Sequence, residues 1–322
     1  MKLVVNASLG KAQLQRRLAE LVGDQAIWVD EPEAAIGPLV QADGLICPDH
    51  FIPKVVQTLR TGAPNLRWIQ LTTAGYDHIK RHGAPKNVTV CNAGEAYAPA
   101  VATHAVALLL AVQRRIPNAL AGQARREWRR EFSSQVAVPA SSTVAVIGFG
   151  PIGREVGRLL RGFGAHVVAV TRRGRLDPEA DEVQPVTNLP GVLARADAIV
   201  IAASYDESTH HLIGAREFAL CQPNAVLVNI ARGGIVDPHA LKSALRDGRI
   251  AGAGIDVTDP EPLPADDPLW DAPNLIITPH YAGACGPLAG ERLADLVNDN
   301  LRRFMKGETL KHVVHLSDGT PQ

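Results

Sequence analysis

Aromatic residues make up only 4% of this chain, and its cysteines number four, scattered at Cys47, Cys91, Cys221 and Cys285. With so few rings the core must be aliphatic, and a hydrophobic content of 46% supplies it. No cysteine pair has the spacing of a zinc site or a redox motif, so isolated reduced thiols and no metal are expected. An excess of one charge sign is missing too: Lys plus Arg and Asp plus Glu both total 33. Broad binding to nucleic acid or to an anionic membrane feeds on surplus positive charge, so a neutral chain argues against both. No apolar run reaches the roughly 18 residues that a membrane span needs. The opening MKLVVNASLG has too short an apolar run for a signal peptide. The expectation is a soluble, cytoplasmic protein, and 322 residues are enough for two ordinary domains.

What the chain does have is alternation. In its first third KLVVNA, GLICP, WIQLTTAG and VTVCNAG read as strands, and AQLQRRLAELV as an amphipathic helix. Strands alternating with helices predict a parallel sheet covered on both faces. The segment from about Ala98 to Arg114, APAVATHAVALLLAVQRR, is apolar nearly all round and predicts a buried helix. Beyond it Arg125, Arg126, Arg129 and Arg130 surround Trp128. In a neutral chain this reads as a solvated helix face or a subunit contact, not a nucleic-acid patch. A second series follows: STVAVIGFG, HVVAVTRR, AIVIAAS, AVLVNIARGG, IAGAGIDV and LIITPHYAGA, six apolar strands of a Rossmann-type sheet. From about Pro287 one helix and a strand-like end, KHVVHL, are expected to pack back on the first domain. The expected fold is α/β with two doubly wound parallel-sheet domains. Residues 1–97 and 286–322 would form a substrate-binding domain, and residues 98–285 a dinucleotide-binding Rossmann domain.

The stretch VAVIGFGPIGREVGRLL runs strand, turn, helix. In such a unit Gly148 allows the tight turn, Gly150 lets the backbone approach a pyrophosphate, and Gly153 lets helix and strand pack closely. The phosphates then meet the free amides at the helix N-terminus. An NAD-selective unit places a carboxylate about twenty residues further on, against the adenosine ribose. Here VVAVTRRG puts Thr171 at the strand end, followed by Arg172 and Arg173. A hydroxyl does not repel a 2′-phosphate, and an arginine pairs with one through charge-assisted hydrogen bonds. NADP(H) is therefore the expected preference, with NAD(H) possible.

Three later segments carry reactive side chains: VNIARGGIVD, GAGIDVTDPEPLP and NLIITPHYAG. Each begins as a strand and ends in a loop at the carboxyl edge of the sheet, where open α/β sheets bind ligands. Arg232, Glu261 and His280 are thus candidates to converge beside a nicotinamide. An arginine grips a carboxylate and polarises a keto oxygen. A histidine protonates that oxygen as hydride arrives, and a neighbouring carboxylate fixes its ring.

In the order and spacing of these four motifs the chain resembles the D-isomer-specific 2-hydroxyacid dehydrogenase family over nearly its whole length. The resemblance implies that Arg232, Glu261 and His280 form the catalytic set and that Asp256 contacts the nicotinamide carboxamide. It places Pro151, Ile152, Thr209 and Ile230 against the dinucleotide. In TTAGYDHI it gives the backbone amides of Ala74 and Gly75 the substrate carboxylate. It further implies a Rossmann domain inserted in a flavodoxin-like substrate domain, a cleft that closes, and a homodimer with the Arg-rich segment at its interface. Three positions depart from the family pattern: Thr103 stands for a frequent Glu, Ser204 for a usual Pro, and Thr171 for the acid. The C-terminal regulatory domain of many phosphoglycerate dehydrogenases is not in this sequence.

The expected activity is NAD(P)H-dependent reduction of a small 2-keto acid, glyoxylate or hydroxypyruvate, to the D-2-hydroxy acid. Phosphoglycerate, D-lactate or a bulkier 2-hydroxy acid is the alternative, with Lys54, Arg60 and Lys80 as bases for a phosphate. An alternative of another class is a dinucleotide-sensing partner protein without catalysis, which would not need Arg232, Glu261 and His280 together.

Overall fold

The computed structural model describes residues 1–284 and 286–316, so Cys285 lies outside the described residues. In chain order the first elements are β1 (Leu3–Val5), α1 (Lys11–Val22), β2 (Ala26–Trp28), α2 (Ile36–Leu39), β3 (Gly44–Cys47) and α3 (Ile52–Thr61). They continue with β4 (Trp68–Leu71), α4 (Asp77–His82) and β5 (Thr89–Cys91). Next come α5 (Ala98–Gln113), α6 (Ile116–Ala124), β6 (Thr143–Ile147), α7 (Pro151–Gly162), β7 (His166–Thr171) and β8 (Glu182–Pro185). Then follow α8 (Leu189–Leu193), β9 (Ala198–Ile201), α9 (Ala215–Leu220), β10 (Val226–Asn229), α10 (Pro238–Arg246), β11 (Gly252–Ile255), β12 (Leu275–Ile277) and α11 (Gly286–Lys306).

The chain divides into two compact units, Met1–Tyr97 with Ala284–Gln322, and Ala98–Gly283. In the first, five parallel strands run β2-β1-β3-β4-β5, the flavodoxin-like order. Its core is aliphatic, from Val4 and Leu45 to Ile69 and Val90. Helix α11 packs on α1. The end of the chain returns to β5, where Val314 N donates to Val90 O at 2.8 Å. Asn300 of α11 is fully buried and donates to Gln70 Oε1 of β4 at 2.8 Å.

In the second unit seven parallel strands run β12-β11-β10-β9-β6-β7-β8, the Rossmann order with a reversal between β6 and β9. One strand in each sheet has no counterpart in the apolar runs of the sequence: β2, and β8 with its sequence EVQP. Both are edge strands. An edge strand needs no continuous apolar run, because one side of it faces no neighbour. Helix α5 lies against β10 and β11. It reaches β11 because Gly252 and Gly254 have no side chain: a Cβ on Gly254 would sit 2.9 Å from Leu108 Cβ, and one on Gly252 would sit 2.6 Å from Val112 Cγ1.

The arginine-rich segment corrects the helical reading. Helix α6 ends at Ala124, Arg126 takes φ 60°, and the chain then runs without helix through Arg130. Interleaved glutamates pair with the arginines: Arg125 Nε lies 3.0 Å from Glu127 Oε2, and Arg129 binds Glu131. Trp128 between them is 95% exposed. Among the described residues no helix is long and apolar enough to cross a membrane.

Candidate active site

Strands β10, β11 and β12 are adjacent and in register, Asn229 beside Ile255 and Ile255 beside Ile277. Their loops therefore leave the carboxyl edge side by side, carrying Arg232, then Asp256 to Glu261, then His280. The arginine turn is fastened by a buried side chain that the sequence reading passed over. Asn229 Nδ2 donates to Arg232 O at 2.9 Å, and Asn229 Oδ1 accepts from Ala231 N at 3.1 Å. The turn abuts the glutamate loop: a Cβ on Gly233 would lie 2.1 Å from the carbonyl carbon of Thr258. Only glycine allows that approach. Arg232 Nη1 donates to Ala231 O at 2.7 Å.

Glu261 and His280 meet directly, Nδ1 to Oε1 at 2.5 Å. A carboxylate only accepts, so His280 Nδ1 carries the proton of this bond and Nε2 is the ring nitrogen left for chemistry. The side chains of His280 and Glu261 are 45% and 41% exposed, open to a ligand. Glu261 lies between two cis peptide bonds, Asp259–Pro260 and Glu261–Pro262.

Asp256 is 1% exposed and organises the histidine loop. Its Oδ1 accepts from Thr278 Oγ1 at 2.6 Å and from Tyr281 N at 3.2 Å, and its Oδ2 from Ala282 N at 2.9 Å. Its carbonyl takes His280 N at 2.8 Å. The side chain expected at a carboxamide is thus the anchor of the loop that bears His280.

At the reversal of strand order, Gly148 takes φ 88°, and a Cβ there would lie 2.4 Å from Ala203 Cα. A Cβ on Gly153 would collide with Gly148 O at 2.1 Å, whereas one on Gly150 meets nothing within 4 Å. Gly148 and Gly153 are closed in by backbone. Gly150 faces open space, as a cradle for a dinucleotide requires. It is also the N-cap of α7, with no side chain bonded to the first amides, which belong to Pro151's successors Ile152 and Gly153. Pro151 is exposed, Ile152 half-buried and Ile230 buried.

Thr171 ends β7 and its Oγ1 accepts from Gly174 N at 2.9 Å, bending the chain so that Arg172 and Arg173 are exposed. Arg172 Nη2 lies 3.8 Å from Asp206 Oδ2 on the loop after β9. Thr209 spends its hydroxyl inside that loop, accepting from Asp206 N at 2.8 Å and donating to Ser204 O at 3.0 Å. The residues present fit a nicotinamide dinucleotide.

In the first unit the loop after β4 turns its carbonyls inward. Asn92 Nδ2 donates to Ala74 O at 2.7 Å, and Thr73 Oγ1 to Gly75 O at 2.8 Å. The amides of Ala74 and Gly75 have no hydrogen-bond partner among the described residues. Buried Asp49 holds the first turn of α4, which follows the loop, accepting from His78 N at 2.7 Å and Ile79 N at 2.9 Å. Arg60 Nη2 donates to His82 O at 2.7 Å.

Known proteins resemble this chain in sequence and fold. The family model described as D-isomer specific 2-hydroxyacid dehydrogenase, NAD binding domain, matches residues 106–282. A glyoxylate reductase of Thermococcus litoralis is 34% identical over 300 residues, 90% of this chain and 89% of that protein. A D-isomer specific 2-hydroxyacid dehydrogenase family protein from Aeromonas salmonicida superposes with a TM-score of 0.83 at 29% identity, covering 98% of this chain and 99% of the other. A D-isomer specific 2-hydroxyacid dehydrogenase from Xanthobacter autotrophicus, solved with NADPH and MES, gives 0.78 at 26% identity over 98% of both chains.

Proposed function

The chain belongs to the D-isomer specific 2-hydroxyacid dehydrogenase family, and from that premise we propose that it reduces a small 2-keto acid, glyoxylate or hydroxypyruvate, with NADPH in preference to NADH. The observation that carries the reading is the 2.5 Å contact of His280 with Glu261 beside the arginine turn. Reduced nicotinamide, when bound, supplies hydride to the keto carbon. Everything else falls to this chain's residues. His280 Nε2–H gives its proton to the keto oxygen, so the carbonyl becomes a hydroxyl and the ring becomes neutral. Glu261 holds the Nδ1–H throughout and fixes the ring plane. Arg232 faces the carboxylate and keto oxygen, stabilising charge that grows on oxygen during transfer. The Ala74 and Gly75 amides bind the substrate carboxylate. Gly150, Ile152 and Gly153 take the pyrophosphate, and Thr171, Arg172 and Arg173 the adenosine 2′-phosphate. The protein would act in the cytoplasm as a homodimer with the Trp128 segment at its interface.

The test is reduction of glyoxylate and hydroxypyruvate with NADPH and with NADH, comparing kcat/KM. The expected result is turnover of at least one keto acid, faster with NADPH, and loss of at least about a thousandfold in His280→Gln with cofactor affinity retained. No turnover with either acid sinks the substrate assignment. Full activity in His280→Gln sinks the role of the histidine.

A further inference from the structure

Helix α5, Ala98–Gln113, has a single ionisable side chain, His104, and its neighbour Thr103 is exposed and bonds back to Pro99 O at 2.7 Å. His104 points the other way. Its Nε2 lies 2.9 Å from Thr278 Oγ1 and 3.4 Å from Asp256 Oδ1. Its ring meets Tyr281 edge-on at a centroid distance of 4.9 Å. Its side chain is 15% exposed. All three neighbours belong to the histidine loop or to its anchor.

Proton accounting fixes the role of each atom. Thr278 has one hydroxyl proton, and the 2.6 Å contact with the Asp256 carboxylate uses it. Thr278 Oγ1 must then accept from His104, so His104 Nε2 is protonated. The donor reaches the hydroxyl and, less closely, the carboxylate oxygen behind it. A buried carboxylate is tolerated only when its oxygens are supplied with donors. Thr278 and the amides of Tyr281 and Ala282 supply Asp256, and His104 completes the set.

The loop needs that support. His280 has φ 49°, in the left-handed region that a non-glycine residue occupies at a cost of about 1–2 kcal/mol. Such a conformation persists only where its surroundings over-determine it. Asp256 holds Thr278, His280, Tyr281 and Ala282 together, and His104 orients the hydroxyl that locks the first of them.

We propose that His104 is a positioning residue for the reaction, acting through Thr278 and Asp256 to hold His280 in the geometry that meets Glu261. The inference rests on the reading of His280 as proton donor. Without the Nε2 donor, Thr278 Oγ1 and Asp256 Oδ1 lose the partner they share, the pair is no longer held in one arrangement, and the loop relaxes toward ordinary backbone angles. The imidazole then leaves its productive position.

Selective 15N-histidine NMR on the full-length protein tests this without any substrate, with signals assigned from His104→Gln and His280→Gln. In the wild type His104 is expected with Nε2 protonated; a ring protonated on Nδ1 alone overturns the proposal. His104→Leu is expected to shift the ring and amide signals of His280. It should lower kcat about ten- to a hundredfold, as a misplaced group does, with dinucleotide affinity within about twofold. His104→Gln, whose amide nitrogen can donate from the same place, is expected to restore both. Unmoved His280 signals in His104→Leu, or a His104→Gln as impaired as the leucine variant, overturns it. Should His104→Leu not fold, the wild-type tautomer and the glutamine variant decide. Activity surviving in His280→Gln would instead overturn the donor assignment, a separate result.

Discussion

At Arg172 the proposed choice of NADPH over NADH can be tested on one side chain and one opposing acid. The position where an acid would repel a 2′-phosphate is Thr171, but an acid is nearby all the same: Asp206, 3.8 Å from Arg172 Nη2. It hangs on its own loop by accepting from Ser208 N at 2.9 Å. On the proposed NADPH preference, Arg172 would do two things for a 2′-phosphate, pairing with it and offsetting the charge of Asp206. Its side chain is 80% exposed, so water and salt weaken the pair. Charge-assisted hydrogen bonds are worth about 1.5–3 kcal/mol, and exposure argues for the low end. Arg172→Ala should reduce the NADPH-to-NADH ratio of kcat/KM about tenfold, and Asp206→Asn should raise it. Both effects should shrink as ionic strength rises. If the ratio is the same in wild type and Arg172→Ala at low salt, the arginine is a solvated surface group and the 2′-phosphate is held elsewhere.

Elements were legible in the sequence to the extent that burial writes a pattern. Central strands such as VAVI and AIVI are enclosed on both faces, and they appear as unbroken apolar runs. The edge strand EVQP carries no such run, because half-burial asks for none. The segment around Trp128 departs from the helical expectation for a related reason. A glutamate follows each pair of arginines, and ion pairs two residues apart do not lie along a helix face. Arg232, Glu261 and His280 were legible because each follows an apolar strand. Asn229, Thr278 and His104 were not, since an amide, a hydroxyl and an imidazole inside apolar stretches give no sign of what they will touch. The glycines of β11 sit between these cases: GAGI reads as a weak strand, and its meaning appears only with α5 laid across it. A Cβ on Gly254 would come 2.9 Å from Leu108 Cβ, a backbone-anchored atom that yields only if the helix shifts. Gly254→Ala is expected to cost about 1–3 kcal/mol as overpacking. Gly162→Ala, at the end of α7 with nothing within 4 Å of its added carbon, should be neutral or stabilising. Melting temperatures of the two variants compare them directly. Equal values would mean that α5 rides on the sheet with slack to spare.

For the molecule as a whole, the sequence order sets a problem that the first unit must solve. Its chain leaves after Tyr97 and returns at Ala284. Its sheet has only five short strands, so the returning segment has to add core. Helix α11 does so through Ala289, Leu293, Ala294, Val297 and Leu301, all fully buried. At the start of α1 the two segments approach closely where glycine faces glycine. A Cβ on Gly290 would lie 3.0 Å from Gly10 Cα, and Gly10 itself takes φ 70° at the N-cap of α1. Around this contact, Arg16 and Arg17 of α1 pair with Glu291 and Asp295 of α11 at 2.5 and 2.7 Å. These pairs are exposed and worth little singly, so the closure depends on backbone approach and apolar burial. Gly290→Leu would force the helices apart where they are tightest. Its expected effect is faster hydrogen exchange across α1, α11 and β1–β5 and a lower melting temperature, with a cost of at least about 2 kcal/mol. Arg16→Ala, which removes a surface pair and leaves the approach intact, should leave exchange in these elements nearly unchanged. If instead Arg16→Ala loosens the unit as much as Gly290→Leu, charge and not close packing holds the returning chain.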